Sequence, residues 1–278
     1  MRPASTRIPT CLRWIPELVA RVEAESAAYR RSVPPAVAVR KVAVVLVTTA
    51  LTLTLLHFLA PYPSWVAVML RALGADGVAA RWEALMSRGA TGDLGRLVFW
   101  AGFTALGYWG AAWLALRLLG ERMRDHGARL QGALRRAWVY VVVFLLSLPF
   151  LVAASTHPDF LVRYPFLRLG AGDAWWPALA IWWVAYACQF VALELFFRGF
   201  LLHGLRQQFG IGAVFVMVVP YAMIHFAKPL PEALAAIAGG TVLGFLSLET
   251  GAVWLGAALH VAIALTMDLL ALARGALG

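Results

Sequence analysis

The chain has 278 residues, 62% of them hydrophobic and 14% charged, with a mean hydropathy of +0.77. Soluble domains are nearer half apolar and a quarter charged, so the balance excludes an ordinary soluble globule and points to one integral, polytopic membrane domain. The net charge of +10 would suggest nucleic acid in a soluble protein. Here the arginines gather at the ends of apolar runs, where the positive-inside rule accounts for them, and nucleic acid is not an expected partner.

Residues 1–41 are polar and basic, carrying Arg2, Arg7, Arg13, Arg21, Arg30, Arg31, Arg40 and Lys41. The first apolar run begins near Val42, too late for a secretory signal peptide, so this segment is expected to stay cytoplasmic. Within it Leu12, Ile15, Val19 and Val22 fall at helical spacing, which predicts a short amphipathic helix on the bilayer surface or a plain cytoplasmic helix. The two cysteines, Cys11 and Cys188, lie far apart and form neither a disulfide framework nor a metal-spaced cluster.

A bilayer core of about 30 Å needs roughly 20 apolar residues per helix. Candidate spans follow at 42–60, 97–119, 138–154, 175–197, 211–226, 233–249 and 252–272, with 138–154 and 211–226 short. Residues 61–96 are a long connection with apolar positions of their own, interfacial or an eighth, partial span. With the N-terminus inside, Arg117, Arg122, Arg124, Arg129, Arg135 and Arg136 share one cytoplasmic loop, and Arg206 is also inside. Trp175 and Trp176 fit an interfacial aromatic belt. The fold class is therefore all-α, a transmembrane bundle of seven or eight spans. Residues 42–170 supply the first membrane spans and residues 171–278 a C-terminal four-helix core.

The stretch FVALELFFRGFLL puts a carboxylate, Glu194, and a guanidinium, Arg198, inside an apolar run. A charge near the bilayer centre costs about 2.5–3.5 kcal/mol on insertion scales, so such residues are functional candidates. At i,i+4 the two share a helix face and can pair, and an ion pair that staples the bundle explains them equally well. His225 and His260 sit in the next apolar helices, and each alone suits a satisfied core histidine. If the chain turns near Gly210, Glu194 and His225 both lie about 22–24 Å from that turn and can face each other. A turn near Thr250–Gly251 leaves His260 only about 15 Å deep, so the helices must be staggered or tilted for all three to meet. Among other polar residues, Asp268 suits a solvated helix end or a partner that orients His260. Glu232 suits a helix N-terminus favoured by the dipole, and His203 and Arg206 suit the cytoplasmic interface.

The segments ELFFRGFLL, YAMIHFAKPLPEAL and GGTVLGFLSLETGAVWLGAALH, in that order, resemble the successive motifs of the CPBP family of intramembrane proteases. That family includes the type II CAAX prenyl endopeptidases and bacteriocin-immunity-like proteins. The resemblance covers roughly residues 180–270 and implies catalytic roles for Glu194, Arg198, His225 and His260. It also implies departures. The family pairs two glutamates before the arginine, and Leu193 stands where the first belongs. Tyr221 replaces the phenylalanine before His225, and Ala264 replaces the asparagine after His260. By resemblance the first glutamate activates water and the asparagine helps stabilise the oxyanion.

The resemblance leads to an intramembrane endopeptidase of glutamic type acting on a membrane-associated peptide or protein, prenylated chains included. Its partners would be membrane lipid and that substrate, and it would need no cofactor. The alternative is a catalytically impaired scaffold that binds a peptide or lipid-modified partner. A transporter with a Glu/His relay would be expected to show inverted repeats, and none is visible. Two histidines and a carboxylate can hold zinc with an open position, but no HExxH helix is present and Arg198 would repel a cation. Many Arg and Ala residues with few Lys suggest a GC-rich bacterial genome, hence an inner membrane.

Overall fold

The computed structural model describes residues 13–87, 89–168, 170 and 175–275. They form α1 (Trp14–Ser32), α2 (Pro35–Leu59), α3 (Ser64–Ala72), α4 (Asp76–Leu85), α5 (Ala90–Leu118), α6 (Ala137–Ala154), α7 (Pro158–Arg163), α8 (Trp175–Glu194), α9 (Gly204–Phe209), α10 (Gly212–Met223), α11 (Leu230–Thr250) and α12 (Trp254–Gly275). A π-helical segment, Leu195–His203, joins α8 to α9, so that one continuous helix runs from Trp176 to Phe209. Among the described residues six helices are long and apolar enough to cross a membrane, with α10 a shorter apolar helix between two of them. The protein is an integral membrane protein with an all-α fold. Residues 61–96 do not supply a further span, because α3 and α4 hold only 9 and 10 residues, about half the length a bilayer needs.

The expected turns at Gly210 and Gly251 are present. Both glycines adopt positive φ, 55° and 64°, a conformation that L residues with a Cβ rarely take. At the first turn Glu23 of α1 accepts the backbone N–H of Ile211 at 2.8 Å, satisfying one of the free donors at the start of α10. That contact also shows where α1 lies. Its buried stripe, Trp14, Leu18, Val22 and Ser26, docks on α9 and the end of α11. The expected amphipathic helix therefore covers protein rather than resting on lipid alone, while Leu12 falls outside the described residues. We call this end of the bundle the α1 face.

Within the bundle α5 packs along α8, α12 packs against α8 and α6, and α10 packs against α11. The α8–α9 helix is more than half buried, whereas α6 has almost no fully buried residue. Glycines set the closest approaches. Gly240 lies against Tyr221, and Gly244 against Val214 and Met217, so α10 and α11 pack with no Cβ between them. Small residues at helix crossings are the usual means of close packing in a membrane, where lipid tails are as apolar as the side chains.

Candidate active site

The polar residues of the core meet where α8 passes into the π-helical segment. Glu194 ends α8 and Arg198 lies in the π segment, every residue of which is buried. A π-helical stretch widens the turn and occurs frequently at functional sites. Glu194 has 0% exposed surface. Its Oε1 accepts from Arg198 Nη1 at 2.8 Å and pairs with His260 Nδ1 at 3.0 Å. The i,i+4 pairing read from the sequence therefore holds. The stagger that His260 required is also met, since α12 begins deep enough for its second turn to reach Glu194.

Arg198 is clamped on a second side, its Cζ lying 4.0 Å from the centroid of the Tyr221 ring. A desolvated cation over an aromatic face is worth about 2 kcal/mol, so Tyr221 takes part in holding the charge. His225 is not bonded to Glu194. Its Nδ1 donates to its own helix, to the carbonyl of Tyr221 at 2.8 Å, because α10 ends at Met223 and leaves that carbonyl free. The Tyr221 ring stands between the two histidines, 4.9 Å from His225 and 6.3 Å from His260. Glu194, Arg198 and His260 thus form one hydrogen-bonded group, and His225 adjoins it across an aromatic ring.

Several contributors were not evident in the sequence. Phe190 stacks near His260 with centroids 4.3 Å apart and fixes the imidazole plane. Gly256, one turn before His260, lies against the carboxylate, where a Cβ would come 3.1 Å from Glu194 Oε2. Three buried polar atoms of the group, Glu194 Oε2, Arg198 Nε and Arg198 Nη2, have no hydrogen-bond partner among the described residues. Such atoms are costly in an apolar surround and are unusual in native structures. The side chain of His260 keeps 13% exposure.

The replaced motif positions are buried. Leu193 and Ala264 are apolar and closed off, and neither brings a polar atom to the group. Other expectations need correction. Asp268 is neither solvated nor bound to His260; it is fully buried and accepts from Trp182 Nε1 at 3.0 Å and Trp183 Nε1 at 3.3 Å. Its helix continues to Gly275, so it is not at a helix end. His203 is buried rather than interfacial, its Nε2 lying 3.1 Å from Ser247 Oγ. Glu232 does lie in the first turn of α11, where Lys228 and the Tyr164 hydroxyl hold it. Among the described residues no three His, Cys, Asp or Glu side chains converge as metal donors.

Residues 174–266 match the family model described as type II CAAX prenyl endopeptidase Rce1-like. No curated protein and no solved structure matches the chain. The matched stretch holds Glu194, Arg198, His225 and His260 together with the helices that carry them. Over this core, about a third of the chain, the protein is similar to the type II CAAX prenyl endopeptidase Rce1-like family.

Proposed function

We propose that the protein is an intramembrane endopeptidase of glutamic type in which Glu194 is the essential carboxylate. The observation that carries this reading is a carboxylate with no exposed surface, held at Oε1 by Arg198 and His260 and left without a partner at Oε2. Peptide hydrolysis needs a base for water, an acid for the leaving amine and a donor to the oxyanion. In this reading Oε2 takes the proton of the attacking water as its oxygen bonds to the scissile carbonyl carbon. His225 commits its Nδ1–H to a carbonyl and so presents Nε2 to the site. That nitrogen relays a proton to the amine as the C–N bond breaks. His260 orients the carboxylate, and Arg198 holds its Oε1 in place.

The substrate in this proposal is a membrane-associated peptide or protein, with prenylated chains as one class to test. The oxyanion donor is the weakest component, because Ala264 supplies none. Losing one such donor costs about 10²–10³ in rate, so a slow enzyme is expected. We also place the α1 face in the cytoplasm of a bacterial inner membrane. That face gathers Arg30, Arg31, Arg40, Arg117, Arg122, Arg124, Arg129, Arg135 and Arg136, and the opposite loops carry fewer basic residues.

Leu193 and Ala264 favour a second reading, a scaffold that binds a membrane peptide or lipid-modified partner without cutting it. One experiment separates the two. Purified protein in liposomes is given a library of membrane-associated peptides, prenylated and not. Wild type is compared with Glu194→Gln, His225→Gln and the double variant Leu193→Glu/Ala264→Asn, with and without chelator. Cleavage that is lost in the first two variants and indifferent to chelator is the expected result. Retention of binding without cleavage in wild type, with cleavage appearing in the double variant, would establish the scaffold.

A further inference from the structure

The largest concentration of charge outside the core lies at the α1 face. There α1, α9, the 119–136 loop and the turn between α11 and α12 enclose a cavity of about 190 Å³. Its charged lining is Arg21, Arg129, Arg135 and Arg206 against Glu25 and Glu249. Glu249, only 6% exposed, draws in Arg21 at 3.1 Å and Arg135 at 3.8 Å, and Arg136 from just outside at 3.3 Å. Arg206 stands 3.7 Å from Glu25. Arg129 has no carboxylate partner among the described residues. Its Nε donates to the carbonyl of Gly251 at 3.1 Å, and its Nη2 lies against Gly251 so closely that a Cβ there would collide with it.

A cluster that served only to staple the chain would balance its charges. Here arginine exceeds carboxylate around a space open enough to receive a group, and the forked donors of arginine match phosphate oxygens in pairs. A second observation comes from the same loop. Leu130 and Leu134 are 75% and 77% exposed, and Trp138 at the start of α6 is 51% exposed. Apolar side chains laid open beside arginines are the pattern of an interfacial segment, with bases at the phosphates and apolar groups in the acyl layer.

We infer that this cavity is a binding site for the phosphodiester headgroup of an anionic phospholipid, its acyl chains running past Leu130 and Leu134 along the exposed face of α6. The headgroup supplies the negative charge that Arg129 and its neighbours lack. The site bears on the core through α12. Glu249 lies at the end of α11 and Gly251 opens the turn that launches α12, whose first two turns carry Gly256 and His260 to Glu194. An occupied site ties α1, the loop and the turn together and fixes the base of α12.

The test uses the full-length protein in neutral detergent, titrated with phosphatidylglycerol, phosphatidylcholine or inorganic phosphate. Retained lipid is read by native mass spectrometry and the unfolding midpoint by a thermal scan. Phosphatidylglycerol is expected to be retained and to raise the midpoint, and phosphatidylcholine to do neither. Arg129→Gln and Arg135→Gln are each expected to weaken phosphatidylglycerol binding about fivefold. Arg40→Gln and Arg124→Gln, exposed on the same face but outside the cavity, should leave it unchanged. Equal effects of the two lipids would overturn the proposal. So would equal losses in the control variants, which would mean diffuse attraction. Inorganic phosphate reproducing the full shift would reassign the cavity to a free anion and overturn the lipid site. Should Arg129→Gln fold poorly, Arg135→Gln decides the matter, because Arg135 has no backbone bond to lose, and unchanged binding there overturns the proposal.

Discussion

Two carboxylates, Glu194 and Glu249, are each held by basic side chains, but at different depths. Glu194 lies inside the bundle with an arginine four residues along its own helix and a histidine from α12. Glu249 lies at the α1 face, at the end of α11, and its arginines come from α1 and the 119–136 loop and remain partly exposed. The inner charges were removed from water at a cost that only close partners offset, so losing one partner leaves an uncompensated ion. At the face, water and salt share the work, and each pair contributes little. The same chemistry therefore gives a site that is intolerant of change in one place and adjustable in the other.

The sharpest way to break this comparison is to remove one charge from each cluster. Arg198→Leu is expected to destabilise the protein by about 3–5 kcal/mol. Added salt should not change that loss, because the pair is buried. The double variant Glu194→Leu/Arg198→Leu should lie closer to wild type than Arg198→Leu does, since no lone charge remains. Chemical unfolding in detergent measures both. At the face Glu249→Gln is expected to cost about 1 kcal/mol. That cost should shrink as sodium chloride rises from about 0.05 to 0.5 M, where the screening length falls to a few ångströms. A salt-independent loss at Glu249 would show that the two clusters are not different in kind.

The depth difference explains how much was legible in the sequence. Apolar runs of bilayer length form helices in lipid, so the all-α architecture and six of the seven spans followed from composition, while 211–226 holds only the shorter α10. An intramembrane Glu and Arg at i,i+4 are conspicuous for the same reason, and their pairing was readable from spacing alone. The placement of His260 was not, because helix stagger is set by packing between distant segments. The failed readings share a cause. Residue type alone suits Asp268 to a helix end and His203 to an interface, yet each is buried with a partner far away in sequence, Trp182 for one and Ser247 for the other. The π-helical segment left no mark in residue type, since LFFRGFLLH is an ordinary amphipathic string. The arginine cavity escaped notice because its members are spread from Arg21 to Glu249, and only the fold collects them.

A smaller perturbation probes the fit of the inner group rather than its charge. In Gly256→Ala the added Cβ would lie 3.1 Å from Glu194 Oε2 and 3.7 Å from Glu194 Cδ, so the carboxylate must yield by a few tenths of an ångström. Alanine favours the helix over glycine by roughly 1 kcal/mol, which offsets much of the crowding. The unfolding midpoint is thus expected to change little. If Glu194 is the working carboxylate, the displacement should still lower cleavage about tenfold, since small misplacements at the reacting centre are costly. A midpoint that falls sharply with no change in cleavage would mean the contact only packs the helix.

The smallest effect returns to the α1 face, where Glu121 is held by Lys41 of α2 and by His126, whose Nε2 lies 2.7 Å away. Burial by itself pushes the Glu121 pKa up, but the hydrogen bonds from His126 and Lys41 outweigh it and leave the value lowered to about 2 from an ordinary 4.5. A folded value below the unfolded one favours the folded state wherever the carboxylate is ionised in both. That contribution is complete above about pH 4.5 and fades as the pH falls toward 2. Between pH 5 and about 3, the wild-type midpoint should therefore fall more steeply than that of Glu121→Gln, which has no charge to lose. Above pH 5 the gap between the two proteins should stay constant as far as this group governs it. Parallel curves through the acid range would mean that solvent, not Lys41 and His126, satisfies Glu121, and the α1 face would then be looser than its contacts suggest.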